Sequence, residues 1–248
     1  MLKGRSCADG STQRKEYEKA ETASPTLGVE ALFTLIMIVA RERRHVITSD
    51  IAGAYLNAFM EDFVLMKLVG EVVDILCQLN PRYKQFVVIE KGRRVLYVRL
   101  NKALYGCVQS ALLWYKMLSD AIKTMGFELN PYDPCVANAM INGAQCTIAW
   151  YVDDLIITHK DNDVVEGIVN QLEAKFGKMN VSRGQSHTYL GMDITFMDNG
   201  KAQIHMPGYI EDAIKAYEDD ITGEATTPAQ KNLFEVDEHS PPLSLIHI

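Results

Sequence analysis

An α+β fold is predicted for this 248-residue chain by three observations. Apolar residues recur at helical spacing in three separated stretches. Asn-Gly pairs, which favour tight hairpin turns, lie between short alternating runs. The helical stretches and the antiparallel hairpins are intermixed along the chain instead of segregated.

The elements follow in order. Residues 1–25 are polar, with Asp9-Gly10 marking a turn. Ser24-Pro25 precedes a helix expected over Thr26–Arg43, with Pro as its start signal and Arg41, Arg43 and Arg44 complementing its C-terminal dipole. A strand follows over His45–Ile51, placing Asp50 near its end, where a carboxylate reaches solvent or metal. Phe63–Val69, Phe86–Ile89 and Arg94–Leu100 read as strands, with Lys91-Gly92 as a turn. Cys107–Met125 has helical spacing, with Ala111, Trp114, Tyr115, Leu118 and Ile122 on one face and Gly126 as the stop. Cys135–Ile141 and Gln145–Tyr151 flank Asn142-Gly143 as a hairpin. Leu155–Thr158 is a further strand, so Asp153 and Asp154 fall in a tight β-turn. Asp161–Phe176 is a helix ending at Gly177, and His187–Phe196 pairs with Lys201–His205 across Asn199-Gly200. A short helix is expected over Pro207–Tyr217, and the chain turns acidic and Pro-containing from Asp219.

Composition narrows the class. A chain 48% hydrophobic can bury a substantial core. The net charge of −7 is uneven: residues 1–110 carry 16 Lys+Arg against 12 Asp+Glu, and residues 111–248 carry 9 against 20. A nucleic-acid groove, if present, is therefore expected in the first part. The five cysteines, Cys7, Cys77, Cys107, Cys135 and Cys146, lack C-x-x-C spacing and read as reduced thiols of an intracellular protein. The longest apolar run, Ala31–Ala40, falls short of the ~20 residues needed to cross a bilayer, so no membrane association is expected.

The carboxylates carry the chemistry. Asp50 and the pair Asp153-Asp154 supply three acids on two strand ends. An Asp-Asp dipeptide alone is ordinary in a solvated turn. Here Trp150, Tyr151 and Val152 precede it and Leu155, Ile156 and Ile157 follow, so the acids sit between apolar strands and repel unless cations neutralise them. Phosphoryl transfer to a 3′-hydroxyl uses two Mg²⁺ ions about 3.5–4 Å apart, held by two or three carboxylates plus substrate phosphates. Asp50 and Asp153 are the main expected ligands, with Asp154 auxiliary and Mn²⁺ a possible substitute metal. Tyr55 reads either as a core aromatic or as a group under the sugar that excludes a 2′-hydroxyl.

These residues resemble the reverse transcriptase domain of copia-type LTR retrotransposons. Asp50-Ile-Ala-Gly-Ala-Tyr-Leu-Asn57 is similar to the family's first catalytic motif. Leu100-Asn-Lys-Ala-Leu-Tyr-Gly106, continuing through Gln109 to Trp114-Tyr115, is similar to a further family block. Tyr151-Val-Asp-Asp154 matches the second metal motif unchanged, and Tyr189-Leu-Gly-Met-Asp-Ile194 is similar to the hairpin that grips the primer end. Thr227-Pro228 resembles a pattern that follows it. The likeness covers about Leu2–Pro228, and its specificity lies in the ordered series.

The resemblance implies a right-hand polymerase palm with an antiparallel sheet and packed helices, partial fingers and an incomplete thumb. Partial fingers are expected over 1–44, palm over 45–60 and 106–195, and a fingers insertion over 61–105. The start of a thumb or connection is expected over 196–228 and a disordered tail over 229–248. It implies metal ligation by Asp50, Asp153 and Asp154, a sugar gate at Tyr55 and a nucleotide or template contact at Gln109. Lys3 and Arg5 would hold the triphosphate, and Gly191 and Met192 would lie at the primer terminus. Implied partners are an RNA or DNA template with primer, deoxynucleoside triphosphates, and the RNase H and integrase of a parent polyprotein. Implied locations are a cytoplasmic virus-like particle or the nucleus. Ser110-Ala-Leu112 departs from the family's usual Ala-Pro-Arg, which removes an expected Arg contact to nucleic acid. Upstream fingers strands are missing, and Leu243–Ile248 reads as a sequencing scar, so a fragment is expected. Two other classes share parts of this pattern: an inactive nucleic-acid-binding remnant and a palm-type nucleotide cyclase, which leaves Lys102–Tyr115 unexplained.

Overall fold

The computed structural model describes residues 7–216, and Lys3, Arg5, Thr227-Pro228 and the suspected scar lie outside the described residues. A 3-10 turn (Gln13–Lys15) and a four-residue helix, α1 (Lys19–Thr22), lead to α2 (Val29–Glu42). Pro25 is not the helix start. Gly28 is the N-cap, its N–H donating to Asp133 Oδ2 at 2.8 Å, and α2 ends at Arg43 in a left-handed conformation. Next come β1 (His45–Asp50), α3 (Ala54–Asn57), β2 (Leu65–Val69) and α4 (Glu71–Leu79). A second 3-10 segment (Pro81–Phe86) precedes β3 (Val88–Glu90), β4 (Arg93–Arg99) and α5 (Ser110–Thr124). Then follow β5 (Glu128–Leu129), β6 (Val136–Ile141), β7 (Ala144–Tyr151), β8 (Asp154–His159) and α6 (Asn162–Phe176). The series continues with β9 (Asn180–Arg183), β10 (Ser186–Tyr189), β11 (Met192–Phe196), β12 (Ala202–His205) and α7 (Pro207–Lys215).

Six strands form the main sheet in the order β5-β6-β7-β8-β1-β9, and each adjacent pair is antiparallel. β8 and β1 lie inside it and are buried along nearly their whole length, because Ile47, Leu155, Ile156 and Ile157 pack with α2, α5 and α6 in one apolar cluster. The Asn142-Gly143 hairpin forms as expected, both residues having positive φ. Burial pushes the thiols of Cys135 and Cys146 up to about 12 and about 11, so they behave as small apolar side chains.

Two smaller sheets accompany the main one. β2-β4-β3 carries α4 over a separate apolar cluster of Val73, Cys77 and Leu96. The stretch expected as one strand over His187–Phe196 is in fact two, β10 and β11, joined at Leu190-Gly191. Both turn residues have positive φ, a conformation Gly191 adopts freely and Leu190 does not. The chain divides after Met206, and α7 falls in the second unit, where no residue of that helix is buried. Among the described residues no helix is long and apolar enough to cross a membrane.

Candidate active site

Asp50 closes β1 directly opposite Asp154, the first residue of β8. Residues paired across an antiparallel ladder project to the same face with Cβ atoms about 4.5–5.5 Å apart, so these two acids from distant parts of the chain stand side by side. Asp153 sits one position earlier in the two-residue turn that joins β7 to β8, where Tyr151 also faces Asp154.

That turn is held from outside. Val152 has a φ of 58°, a left-handed conformation costly for a β-branched residue. Its carbonyl accepts the indole N–H of Trp114 on α5 at 2.7 Å. The Asp153 carbonyl accepts the Ile51 N–H at 3.1 Å. Tyr189 Oη donates to the Asp154 carbonyl at 3.2 Å, bracing the same hairpin from β10. Tertiary contacts thus impose a geometry that the local sequence resists.

The charge is concentrated. Burial pushes the Asp154 carboxyl up from its ordinary value, and the negative charges of Asp153 and Asp50 push it further. Asp50 Oδ2 accepts from Asn180 Nδ2 at 3.1 Å, Asn180 lying opposite it on β9. Asp50, Asp154, Asn180, Thr188 and Tyr189 line a pocket of about 250 Å³. A larger cavity of about 390 Å³, walled by α2, β6 and β7, holds none of the three acids, so chemistry and not size marks the site. Among the described residues no three His, Cys, Asp or Glu side chains converge into a ready-made metal cage. The fold instead gathers hard oxygen donors whose mutual repulsion a divalent cation would relieve.

Tyr55 lies on α3, half-buried, its ring 4.7 Å from that of Tyr105. Burial pushes its hydroxyl pKa up, with the charge of Asp153 the next cause. Tyr55 is therefore both a packing residue, against Ala58, Ala103 and Leu113, and a neighbour of the acids. Gln109 stands at the N-terminal boundary of α5 without capping it, and its Nε2 donates to Asp62 Oδ2 at 2.7 Å. Tyr17 Oη donates to the same oxygen at 2.9 Å. Gly106, in the Leu100–Gly106 block, lets the segment near Ala8 cross it closely; a Cβ there would lie 1.9 Å from the Ala8 carbonyl oxygen. Gly191 sits at the β10–β11 turn, while the Met192 side chain is buried in the main core.

Sequence reasoning missed two contributors. Asn180 reaches Asp50 only because β9 joins the sheet, and that four-residue strand, though flanked by Gly177 and Gly184, carries a single strongly apolar residue, Val181, too little alternation to mark it as a strand. His187 Nδ1 lies 3.0 Å from Thr48 Oγ1, tying β10 to β1, while its Nε2 donates to the Gly184 carbonyl at 2.9 Å. Burial holds the His187 pKa below its ordinary value, which keeps the ring neutral in that role.

Residues 1–231 match the family model for reverse transcriptase (RNA-dependent DNA polymerase). The chain belongs to that family. Among curated relatives it is 24% identical over 233 residues to the retrovirus-related Pol polyprotein from transposon TNT 1-94 of Nicotiana tabacum, covering 93% of this chain and 16% of the relative. It is 26% identical over 199 residues to the corresponding polyprotein from transposon RE1 of Arabidopsis thaliana, covering 80% and 12%. The Ty1-BR Gag-Pol polyprotein of Saccharomyces cerevisiae is 26% identical over 218 residues, with 86% and 11% covered. This reverse transcriptase chain thus spans between a tenth and a sixth of the length of those polyproteins. Among solved structures, the foamy viral protease–reverse transcriptase in complex with double-stranded DNA aligns with a TM-score of 0.40 at 14% identity, over 81% of this chain and 29% of that one. Apo telomerase from Candida tropicalis, truncated of its C-terminal domain, aligns at 0.39 and 11%, over 74% and 41%.

Proposed function

We propose that this chain is the polymerase portion of a copia-type retrotransposon Pol polyprotein, adding deoxynucleotides to a primer 3′ end on an RNA or DNA template. The observation that supports this most is the register that sets Asp50 against Asp154 with Asp153 in the adjoining turn. Asp50 and Asp153 would hold two Mg²⁺ ions with Asp154 assisting, and Mn²⁺ can substitute. Bound there, the ions would make the 3′-oxygen nucleophilic and offset charge on the leaving pyrophosphate.

The chain's own residues do the rest. Asn180 orients the Asp50 carboxylate through Oδ2, leaving Oδ1 for a cation. Tyr55, fixed against Tyr105, fills the space a 2′-hydroxyl would need. Gln109 lies at the start of α5, where release from Asp62 would free its amide for a nucleotide or template. The β10–β11 turn offers backbone at Gly191 to the primer end, while the buried Met192 side chain anchors the hairpin. Lys3 and Arg5 remain assigned to the triphosphate. Residues 61–105 act as a fingers insertion, in keeping with the separate core of their lobe. The 1–44 fingers, 45–60 and 106–195 palm and 196–228 thumb complete the division. RNase H and integrase would be parts of the parent polyprotein, working in a virus-like particle or the nucleus.

The test is primer extension. The full chain is expected to extend a DNA primer on an RNA template with Mg²⁺. Asp153→Asn should lower the rate roughly a thousandfold or more, the scale of several kcal/mol of metal-borne stabilisation. Tyr55→Ala should raise ribonucleotide incorporation relative to deoxynucleotide. Absence of extension by wild-type protein on any template refutes the reading. The open arrangement of the acids favours one rival, a non-catalytic hybrid binder. Hybrid binding that survives EDTA, with no synthesis in Mg²⁺, would select it.

A further inference from the structure

Helix α4 is apolar around more of its circumference than its own sheet covers. Val73 and Cys77 face Leu96 beneath the helix and are buried. Val72, Ile75 and Leu79, spaced i, i+3, i+7, form a second stripe that is 50%, 53% and 77% exposed. The polar positions Glu71, Asp74 and Gln78 leave a narrow third face, and Asp74 is already paired with Arg94. A stripe of large aliphatic residues open to water on a short helix marks a contact surface.

The arrangement along the helix indicates what covers it. The stripe is close to symmetric about Ile75, so a second α4 crossing antiparallel sets Val72 against Leu79 of the copy and Ile75 against itself. The ends carry opposite charge: Glu71 opens the helix, and Arg82 and Lys84, both exposed, follow it. Neither Glu71 nor Arg82 is in an ion pair among the described residues. Antiparallel crossing brings the acidic end of one helix to the basic end of the other and opposes their dipoles favourably. A parallel crossing would set like charges together. From this self-complementarity we propose that the α4 face binds a second copy of this chain about a two-fold axis, with Val72, Ile75 and Leu79 at its centre.

Sedimentation of the full wild-type chain over a concentration series is expected to show a monomer–dimer equilibrium. Ile75→Glu should weaken association at least tenfold while leaving the circular-dichroism melt of the folded chain in place, since Ile75 lies outside the buried cluster of the lobe. Glu71→Arg and Arg82→Glu should each weaken association, and the double exchange should restore it. A wild-type chain that stays monomeric into the high micromolar range overturns the proposal, and so does capture of this face by another polyprotein segment in place of a second copy. Dimers indifferent to Ile75→Glu, or single exchanges that the double variant fails to rescue, overturn it as well.

Discussion

The main sheet and the β2-β4-β3 lobe are built from the same antiparallel pairing and bury it to very different degrees. In the main sheet, β8 is buried from Leu155 to His159, and β1 from Val46 to Ser49. In the lobe, β2 is exposed at every second residue, and the apolar cluster holds three buried residues, Val73, Cys77 and Leu96. The lobe draws further support from exposed ion pairs, Lys67 with Glu90 at 2.5 Å and Arg94 with Asp74. The acids thus stand on the region with the most buried apolar contacts. The more weakly held region presents open surface.

That contrast can be broken from the core outward. Ile156→Ala, at a fully buried position, should cost about 2–5 kcal/mol and lower the denaturant midpoint of the main unit. Leu96→Ala is of similar chemistry, but its damage should stay local. Hydrogen exchange is expected to speed up in β2, β3, β4 and α4 while β7 and β8 remain protected. Equal loss of protection in both sheets would erase the distinction drawn here.

Smaller changes test the Val152-Asp153 turn. Trp114→Phe removes the donor to the Val152 carbonyl and should cost about 1–3 kcal/mol in chemical denaturation, with a loss of primer extension. Asp154→Asn should separate stability from activity. The folded-state pKa of Asp154 is raised, so the ionised form is disfavoured in the fold. Its destabilisation is absent below the ordinary carboxylate pKa, grows as pH rises toward the folded value and is fully present above it. Metal-free Asp154→Asn is therefore expected to melt higher than wild type at neutral pH, to converge with it in acid, and to extend primers poorly. The smallest effect belongs to Arg94→Ala, whose solvent-exposed pair should be worth at most about 1 kcal/mol in thermal melts.

Legibility followed local signal strength. Asn142-Gly143, the Asp161 cap whose side chain accepts from the Asp163 N–H, and the α5 periodicity were all readable, because short-range chemistry fixes each one. Helix α4 was not read, since Glu71–Leu79 is short and rich in β-branched residues that suit a strand equally. The residue pattern alone ran β10 and β11 together, because Leu190 holds a position where Asn or Gly would have announced the turn; only the family resemblance named a hairpin at Tyr189–Ile194.

By itself the sequence determined the α+β class and the family and singled out three candidate acids, since residue type, spacing and motif order are written along the chain. The tertiary structure alone decided the rest: Asp50 opposite Asp154, Asn180 on Asp50 and Trp114 on the Val152 carbonyl. Those relations join residues far apart in the chain. Their geometry depends on strand order and register, which only the closed core imposes.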